Sequence, residues 1–407
     1  MPDETIETLV IGGGQAGLTM SHRLKQRSRP HLVLERRRIA ERWRSERWDG
    51  LKFQFPNWSI RLPEFPFPHD DPDAFSDTDT IIRYIEAYAD FVAPPIRCGV
   101  AVTRLSQRDG GGFLAETTDG AITASNVVVA TGPYQRNIIP DILRDHPVFQ
   151  VHAADYRNPE QLPPGAVLVA GAGASGAQIA EELQRAGRHV YLSIARHRRL
   201  PRRYRGRDLV WWLAEMRLDQ MTPEERGSAR LGPVISGAYG GRTIDFRNFA
   251  ADGMTLVGRL AAAQDGVIEI APGLADSLFD GDLVYSTFLG TVDAYAKRRQ
   301  LELPEDADAH TRVADPPCVT APLTHLDLAA TGISSVIWST GYGVDFGWID
   351  VPVIDERGEA VHHKGVSDVP GLYFLGLQWL SKMNSSFLSG VGDDAAVLAD
   401  HIAARSP

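Results

Sequence analysis

Short apolar runs alternate with helical periodicity along this chain, and twice the switch falls on a glycine cluster. Ile6 to Ile11 reads as a buried strand that runs into Gly12-Gly13-Gly14-Gln15-Ala16-Gly17. A helix follows, with Leu18, Met20 and Leu24 on one face, and then a strand, His31–Leu34, ends on Glu35. The pattern returns in the middle of the chain. Ala166–Ala170 predicts a strand, Gly171-Ala172-Gly173-Ala174-Ser175-Gly176 a loop, Ala177–Ala186 a helix closed by Gly187, and His189–Ile194 the next strand. Two further apolar strands, Asn126–Ala130 and Val336–Trp338, end in Ala130-Thr131-Gly132-Pro133 and Ser339-Thr340-Gly341-Tyr342. Gly371–Leu375 predicts a late strand. The helix Ala395–Ala404 follows it after a polar loop and Gly390-Val391-Gly392-Asp393-Asp394.

Both loops fit the GxGxxG spacing of a dinucleotide site. Gly12 turns the chain tightly, Gly14 admits a pyrophosphate against the backbone, and Gly17 lets helix and strand pack closely. Gln15 and Ala16 open the helix, whose free N–H groups and positive dipole end favour phosphate. Glu35, 18 residues past Gly17, is placed to accept hydrogen bonds from ribose hydroxyls, the arrangement expected for FAD. Gly171, Gly173, Ala174, Ser175 and Gly176 repeat the loop. After it stands no acid but a run holding Arg196, His197, Arg198, Arg199, Arg202, Arg203, Arg205 and Arg207. Guanidinium groups there can grip a 2′-phosphate, so this site is expected to take NADPH, with NADH open as a substitute. Arg36, Val102, Thr131 and Thr340, with the small residues Ala130, Gly132 and Gly341 and with Tyr342, complete the expected cofactor contacts. Gly392 and Asp394 join them, because the last helix can present its N-terminus to the flavin pyrimidine ring.

This pattern predicts an α/β protein with two Rossmann-like dinucleotide-binding domains. The proline-rich stretches 161–165 and 315–322 punctuate it. They suggest a discontinuous FAD domain, 1–155 plus 320–407, around a nicotinamide domain, 156–319, with a cap or substrate-pocket segment at 208–315. Composition narrows the function. A net charge of −10 argues against nucleic acid, whose phosphates need a basic field. The two cysteines, Cys98 and Cys318, form no CxxC, which removes a redox dithiol and fits a reducing, cytoplasmic setting. No signal peptide, 18-residue apolar span or metal-ligand cluster is legible, so neither a membrane nor a metal is expected. A homodimer stays open.

Over nearly its whole length the chain resembles the class B flavin monooxygenases, in particular their YUCCA-like branch. The resemblance rests on both loops, both exits and GLYFLG…LSGVGDDA. It also rests on Ile39-Ala40-Glu41-Arg42-Trp43, Leu51-Lys52-Phe53-Gln54-Phe55-Pro56 and Leu62-Pro63-Glu64-Phe65-Pro66-Phe67-Pro68. It implies that Trp43 and the Gln54–Asn57 stretch lie along the flavin, and that NADPH reduces FAD, which then forms a C4a-peroxyflavin with O2. The family's linker motif FxGxxxHxxx(W/Y) is matched at His152 and Tyr156, whereas His146 and Val148 replace its Phe and Gly. Ser334 stands where the family has a strand-terminal Asp. The tyrosine favours N, S or aromatic-carbon oxygenation over Baeyer–Villiger chemistry.

Gln54, Asn57 and Asn384 are therefore the catalytic candidates. Trp58, Trp211, Trp212 and Trp379 are the candidates for an apolar substrate pocket that excludes water. The partners expected are a small organic substrate and O2. A reductase or NADPH oxidase without oxygen insertion is the main alternative, and a flavin-binding sensor the remaining one.

Overall fold

The computed structural model describes residues 4–226 and 232–405. Two sheets organise them. The first runs, in spatial order, 349–350, 102–107, 113–117, 120–129, 4–11, 31–35 and 96–98, with 372–374 pairing on 120–129. Its centre is parallel, with Leu9 opposite both Leu32 and Val127, and Leu372 also opposite Val127. Leu9, Val10, Val33, Val127 and Phe374 have no exposed surface, as strands covered on both faces require. The helix Gln15–Gln26 packs against the last helix, Val391–Ala404, over this sheet. Strands 102–107, 113–117 and 120–129 form an antiparallel meander at one side.

The second sheet is wholly parallel, in the order 149–152, 333–338, 166–170, 190–193 and 255–257. This corrects the domain boundaries expected at 155 and 320. Strands 149–152 and 333–338 pair with the nicotinamide strands, so that sheet takes in residues from beyond both expected boundaries. The proline-rich stretches punctuate loops within it. A parallel sheet needs a strand on each side of its nucleotide-binding strand, and 333–338 is that neighbour here, as 120–129 is in the first sheet.

Nor is 208–315 one separate cap. The helix Phe246–Ala251 and strand Thr255–Val257 belong to the nicotinamide domain. The helices Leu209–Glu215 and Leu274–Arg299 instead build a satellite core around Leu200, Tyr204, Trp212, Phe288, Leu289 and Val292. Trp212 is fully buried there and its Nε1 donates to the Tyr204 carbonyl at 3.0 Å, which satisfies the indole. Trp211 meets its ring edge-on at 4.8 Å beneath Arg207. Arg202, 1% exposed, joins this core to the flavin domain. It pairs with Asp208 and donates from Nη1 to the Gln54 carbonyl at 2.7 Å.

Candidate active site

Both glycine loops open onto one cavity of about 1310 Å³. Their glycines divide the same labour twice. Gly12 has φ +113° and Gly171 φ +105°, and a β-carbon on either would stand 2.5 Å from a carbonyl oxygen, Ala130 in one case and Ser339 in the other. The ATG exit thus closes on the first loop and the STG exit on the second. A β-carbon on Gly14 or Gly173 meets nothing within 4 Å, so these two face open space at a helix N-terminus with no side-chain cap. Uncapped backbone N–H groups of this kind are the donor set a pyrophosphate requires. Gln15, Ala16, Ala174, Ser175 and Gly176 also line the cavity. Gly17 lies behind it, against Gly12.

Glu35 sits on the cavity wall at the end of its strand. Its Oε2 accepts from the Gly13 amide at 2.7 Å and its Oε1 from the Arg37 amide at 2.9 Å. These two bonds fix the carboxylate and leave further lone pairs for ribose hydroxyls. Arg36, Trp43, Val102, Ala130, Thr131 and Gly132 are on the same wall. On the second loop's side stand Arg196, His197, Arg198, Thr340, Gly341 and Tyr342.

The arginine run separates into two groups. Arg199 pairs with Asp245 at 2.8 Å and Asp282 at 2.7 Å, and Arg205 pairs with Asp293 at 3.0 Å. With Arg202 these hold the fold together. Arg196 is 82% exposed and its nearest acid, Asp280, is 3.9 Å away. Arg198 lines the cavity, and burial lowers its pKa, so an anion there meets a partly desolvated cation. His197 lies edge-on to Phe246 at 4.9 Å, and burial lowers its pKa, so it presents a neutral ring.

Between the loops lies the linker histidine. His152 is 1% exposed; its Nδ1 accepts from the Ala154 amide at 3.1 Å, which leaves Nε2 to donate to the Gly341 carbonyl at 3.1 Å. Burial lowers its pKa. This neutral ring also meets Tyr342 edge-on at 4.9 Å.

An aromatic chain leads away from the loops. Trp43 meets Phe53 at 5.6 Å, Phe53 meets Phe55 at 5.4 Å, and Phe55 meets Phe387 at 4.9 Å. Leu200, Leu213, Val234, Ile235 and Met383 complete this apolar arm. Gln54 and Trp379 line the cavity.

Other candidates lie elsewhere. Asn57 is buried away from the cavity, bound to Ser76 Oγ at 2.7 Å and to the Asp71 carbonyl at 3.0 Å, so it braces a turn. Trp58 packs beside that turn, and Trp211 and Trp212 belong to the satellite core. Asn384 is 4% exposed and donates to Asp219 Oδ2 at 3.3 Å, behind the lining residue Met383. Gly392 packs on Pro63, and Asp394 accepts from Ser381 Oγ, with burial raising its carboxyl's pKa. Those two residues anchor the last helix rather than face the cavity.

Sequence reasoning passed over Tyr134, Gln378, Arg259, Phe53 and Phe387 as lining residues. Tyr134 carries a local cue, its place one residue beyond Pro133 in the first exit, and Phe53 another, its place inside the Leu51–Pro56 motif. Among the described residues no group of acids, histidines and cysteines could hold a metal, and no helix is long and apolar enough to cross a membrane.

Known proteins resemble this arrangement. Residues 9–224 match the family model described as pyridine nucleotide-disulphide oxidoreductase. The "Uncharacterized oxidoreductase CzcO-like" protein of Geobacillus kaustophilus is 34% identical over 403 residues, 98% of each chain. The "Probable indole-3-pyruvate monooxygenase YUCCA8" of Arabidopsis thaliana is 30% identical over 187 residues, 43% of this chain and 44% of its own. In structure, a flavin-containing monooxygenase from Stenotrophomonas maltophilia shares the fold with a TM-score of 0.65 at 19% identity, covering 98% of this chain and 99% of that one. With two dinucleotide loops on one cavity, the chain belongs to the pyridine nucleotide-disulphide oxidoreductase family, as a flavin-dependent oxidoreductase.

Proposed function

We propose that the protein is an NADPH-dependent FAD monooxygenase acting on a small, largely apolar substrate at nitrogen, sulfur or aromatic carbon. The observation that carries this reading is the continuity of the cavity, which joins both uncapped helix N-termini to an aromatic arm. When bound, the two cofactors supply hydride and oxygen chemistry, consuming NADPH and O2 to leave one oxygen atom in product and one in water.

The chain supplies orientation and shelter. Helices 15–26 and 174–185 receive the two pyrophosphates, and Glu35 holds the flavin-side ribose. Arg196 and Arg198 stand where a 2′-phosphate would distinguish NADPH from NADH. His152 is held neutral and pins the Gly341 carbonyl, which keeps the second exit closed on its loop. Phe53, Phe55 and Phe387 exclude water from the arm, where stray protons would release peroxide. Neither Cys98 nor Cys318 lines the cavity, which speaks against disulfide reduction.

The replaced half of the linker motif, His146 and Val148, favours one second reading, an NADPH oxidase that inserts no oxygen. Purified holoenzyme given NADPH, 18O2 and a panel of indoles, sulfides and amines decides between them. The monooxygenase reading expects labelled product. Peroxide equal to the NADPH consumed, with every substrate, overturns it.

A further inference from the structure

Glu182 sits at the seam between the domains, on the helix whose N-terminus faces the second dinucleotide site. Three observations meet there. The hydroxyl of Tyr156, a residue with no exposed surface, donates to Glu182 Oε2 at 3.0 Å. Glu182 Oε1 lies so close against Gly50 of the flavin domain that a β-carbon on Gly50 would overlap it. The turn holding Gly50 is fastened to the linker by the Asp49 amide on the Arg157 carbonyl at 2.8 Å and by Asn158 Nδ2 on Asp49 Oδ2 at 2.7 Å. From this turn the chain runs directly into the cavity wall, for Trp48, Leu51, Lys52, Phe53, Gln54 and Phe55 all line it.

We propose that Glu182 is a positioning residue, a protonation-dependent latch that seats the 48–55 wall of the cavity against the nicotinamide helix. The chemistry of the seam makes it sensitive to charge. The groups facing Glu182 are Asp49 on the turn, Tyr156 and Glu160 on the linker and Tyr239 on the 238–240 turn, with no cation in an ion pair with it among the described residues. The neighbouring Glu181 takes Arg185 and Arg242 instead. Burial first, then repulsion from Asp49 and Glu160, raises the Glu182 pKa to about 7, while the Tyr156 hydrogen bond opposes the rise. Below that value the carboxyl is neutral and the seam closes without a buried charge. Above it, an unpaired carboxylate faces Gly50 and Asp49, and the turn loosens. The wall moves with the turn, so the fit between the two cofactor sites follows the protonation of a residue that touches neither cofactor.

Two readouts test this, and only one rests on the proposed function. In holoenzyme, hydrogen exchange of peptides covering 46–55 is compared between wild type and Glu182→Gln at about pH 6 and about pH 8. The expected result is equal protection at the lower pH and faster wild-type exchange at the higher. Equal protection at both overturns the latch, whatever reaction the enzyme performs. The second readout is the pH profile of flavin reduction by NADPH, expected to inflect near the Glu182 value in wild type and to be flat in Glu182→Gln. Tyr156→Phe removes a bond that favours the carboxylate, so its inflection moves to higher pH. Gly50→Ala drives Glu182 toward water, so its inflection moves lower. An inflection unmoved by all three variants overturns the proposal. Failure of NADPH to reduce the flavin at any pH would count against the proposed function, and the exchange data would still judge the latch.

Discussion

Gly17 packs so tightly on Gly12 that a β-carbon on it would overlap the Gly12 carbonyl oxygen, and Gly176 stands in the same relation to Gly171. Gly14 and Gly173 are glycines for the opposite reason. Nothing protein-borne approaches them, so their freedom matters only when a ligand arrives. The two kinds of glycine should fail differently. Gly14→Val should fold and purify without colour, because the added methyl groups occupy the place of a pyrophosphate. Gly173→Val should stay yellow and lose only the nicotinamide coenzyme. Gly17→Ala should lose thermal stability before any cofactor is considered. Flavin absorbance and thermal melts of the three variants check this, and retained flavin in Gly14→Val would sink the assignment of the first loop.

Coenzyme choice should map onto the division within the arginine run. Arg196→Ala removes an exposed cation at the cavity mouth, so NADPH binding should weaken by roughly 1.5–3 kcal/mol with NADH little changed. Arg199→Ala instead removes one cation from a largely buried network in which Arg247 still pairs with Asp245 and Asp282, at about 1–3 kcal/mol of stability and with no preference between coenzymes. Titration of both coenzymes into each variant, beside a chemical melt, tells the two roles apart. Equal losses of NADH and NADPH in Arg196→Ala would make that residue structural too.

Trp212 and Phe387 should separate core from pocket in the same way. Trp212→Ala empties the satellite core and leaves the Tyr204 carbonyl without its donor, a cost of about 3–5 kcal/mol with the substrate profile unchanged. Phe387→Ala enlarges the aromatic arm, so it should shift the preferred substrate toward larger rings while melting close to wild type. Substrate panels and melting temperatures measure both. A changed profile in Trp212→Ala would return that side chain to the pocket.

What the sequence made legible follows from how local the physics is. The loops were readable because strand, glycine spacing, helix and acid lie within one βαβ unit, where each residue answers to its neighbours in the chain. Strand 333–338 falls inside the expected flavin segment yet pairs in the second sheet, because pairing with 149–152 and 166–170 is non-local, and no residue in the strand itself announces a partner. Trp58, Trp211 and Trp212 depart from the expected pocket for a related reason. An indole is equally at home in a core and in a pocket, and only the Tyr204 carbonyl on one side and the open cavity on the other distinguish Trp212 from Trp379. Glu182 carries no motif at all, since its character comes from Gly50 in the flavin segment and Tyr156 on the linker, which the fold brings together around it.

His152 ties oxygen chemistry to the linker. Its Nε2 holds the Gly341 carbonyl and its Nδ1 accepts from Ala154, so the ring does both tasks only while neutral. Burial keeps it neutral by lowering its pKa from 6.5. The sign is then determined: a histidine buried neutral contributes stability fully present above 6.5, and loses it as the pH falls from there through the lower folded value. Coupling of NADPH consumption to product should follow the same course. It should hold steady above that value, and at lower pH the share of NADPH ending as peroxide should rise as the exit loosens from the second glycine loop. His152→Ala should show the acid behaviour at every pH, with NADPH still oxidised but roughly tenfold less oxygen reaching product, the effect of losing about 1.4 kcal/mol of positioning. Product and peroxide measured together, against NADPH consumed, check both halves. Coupling in His152→Ala equal to wild type across the range would show that the retained half of the linker motif serves the fold alone.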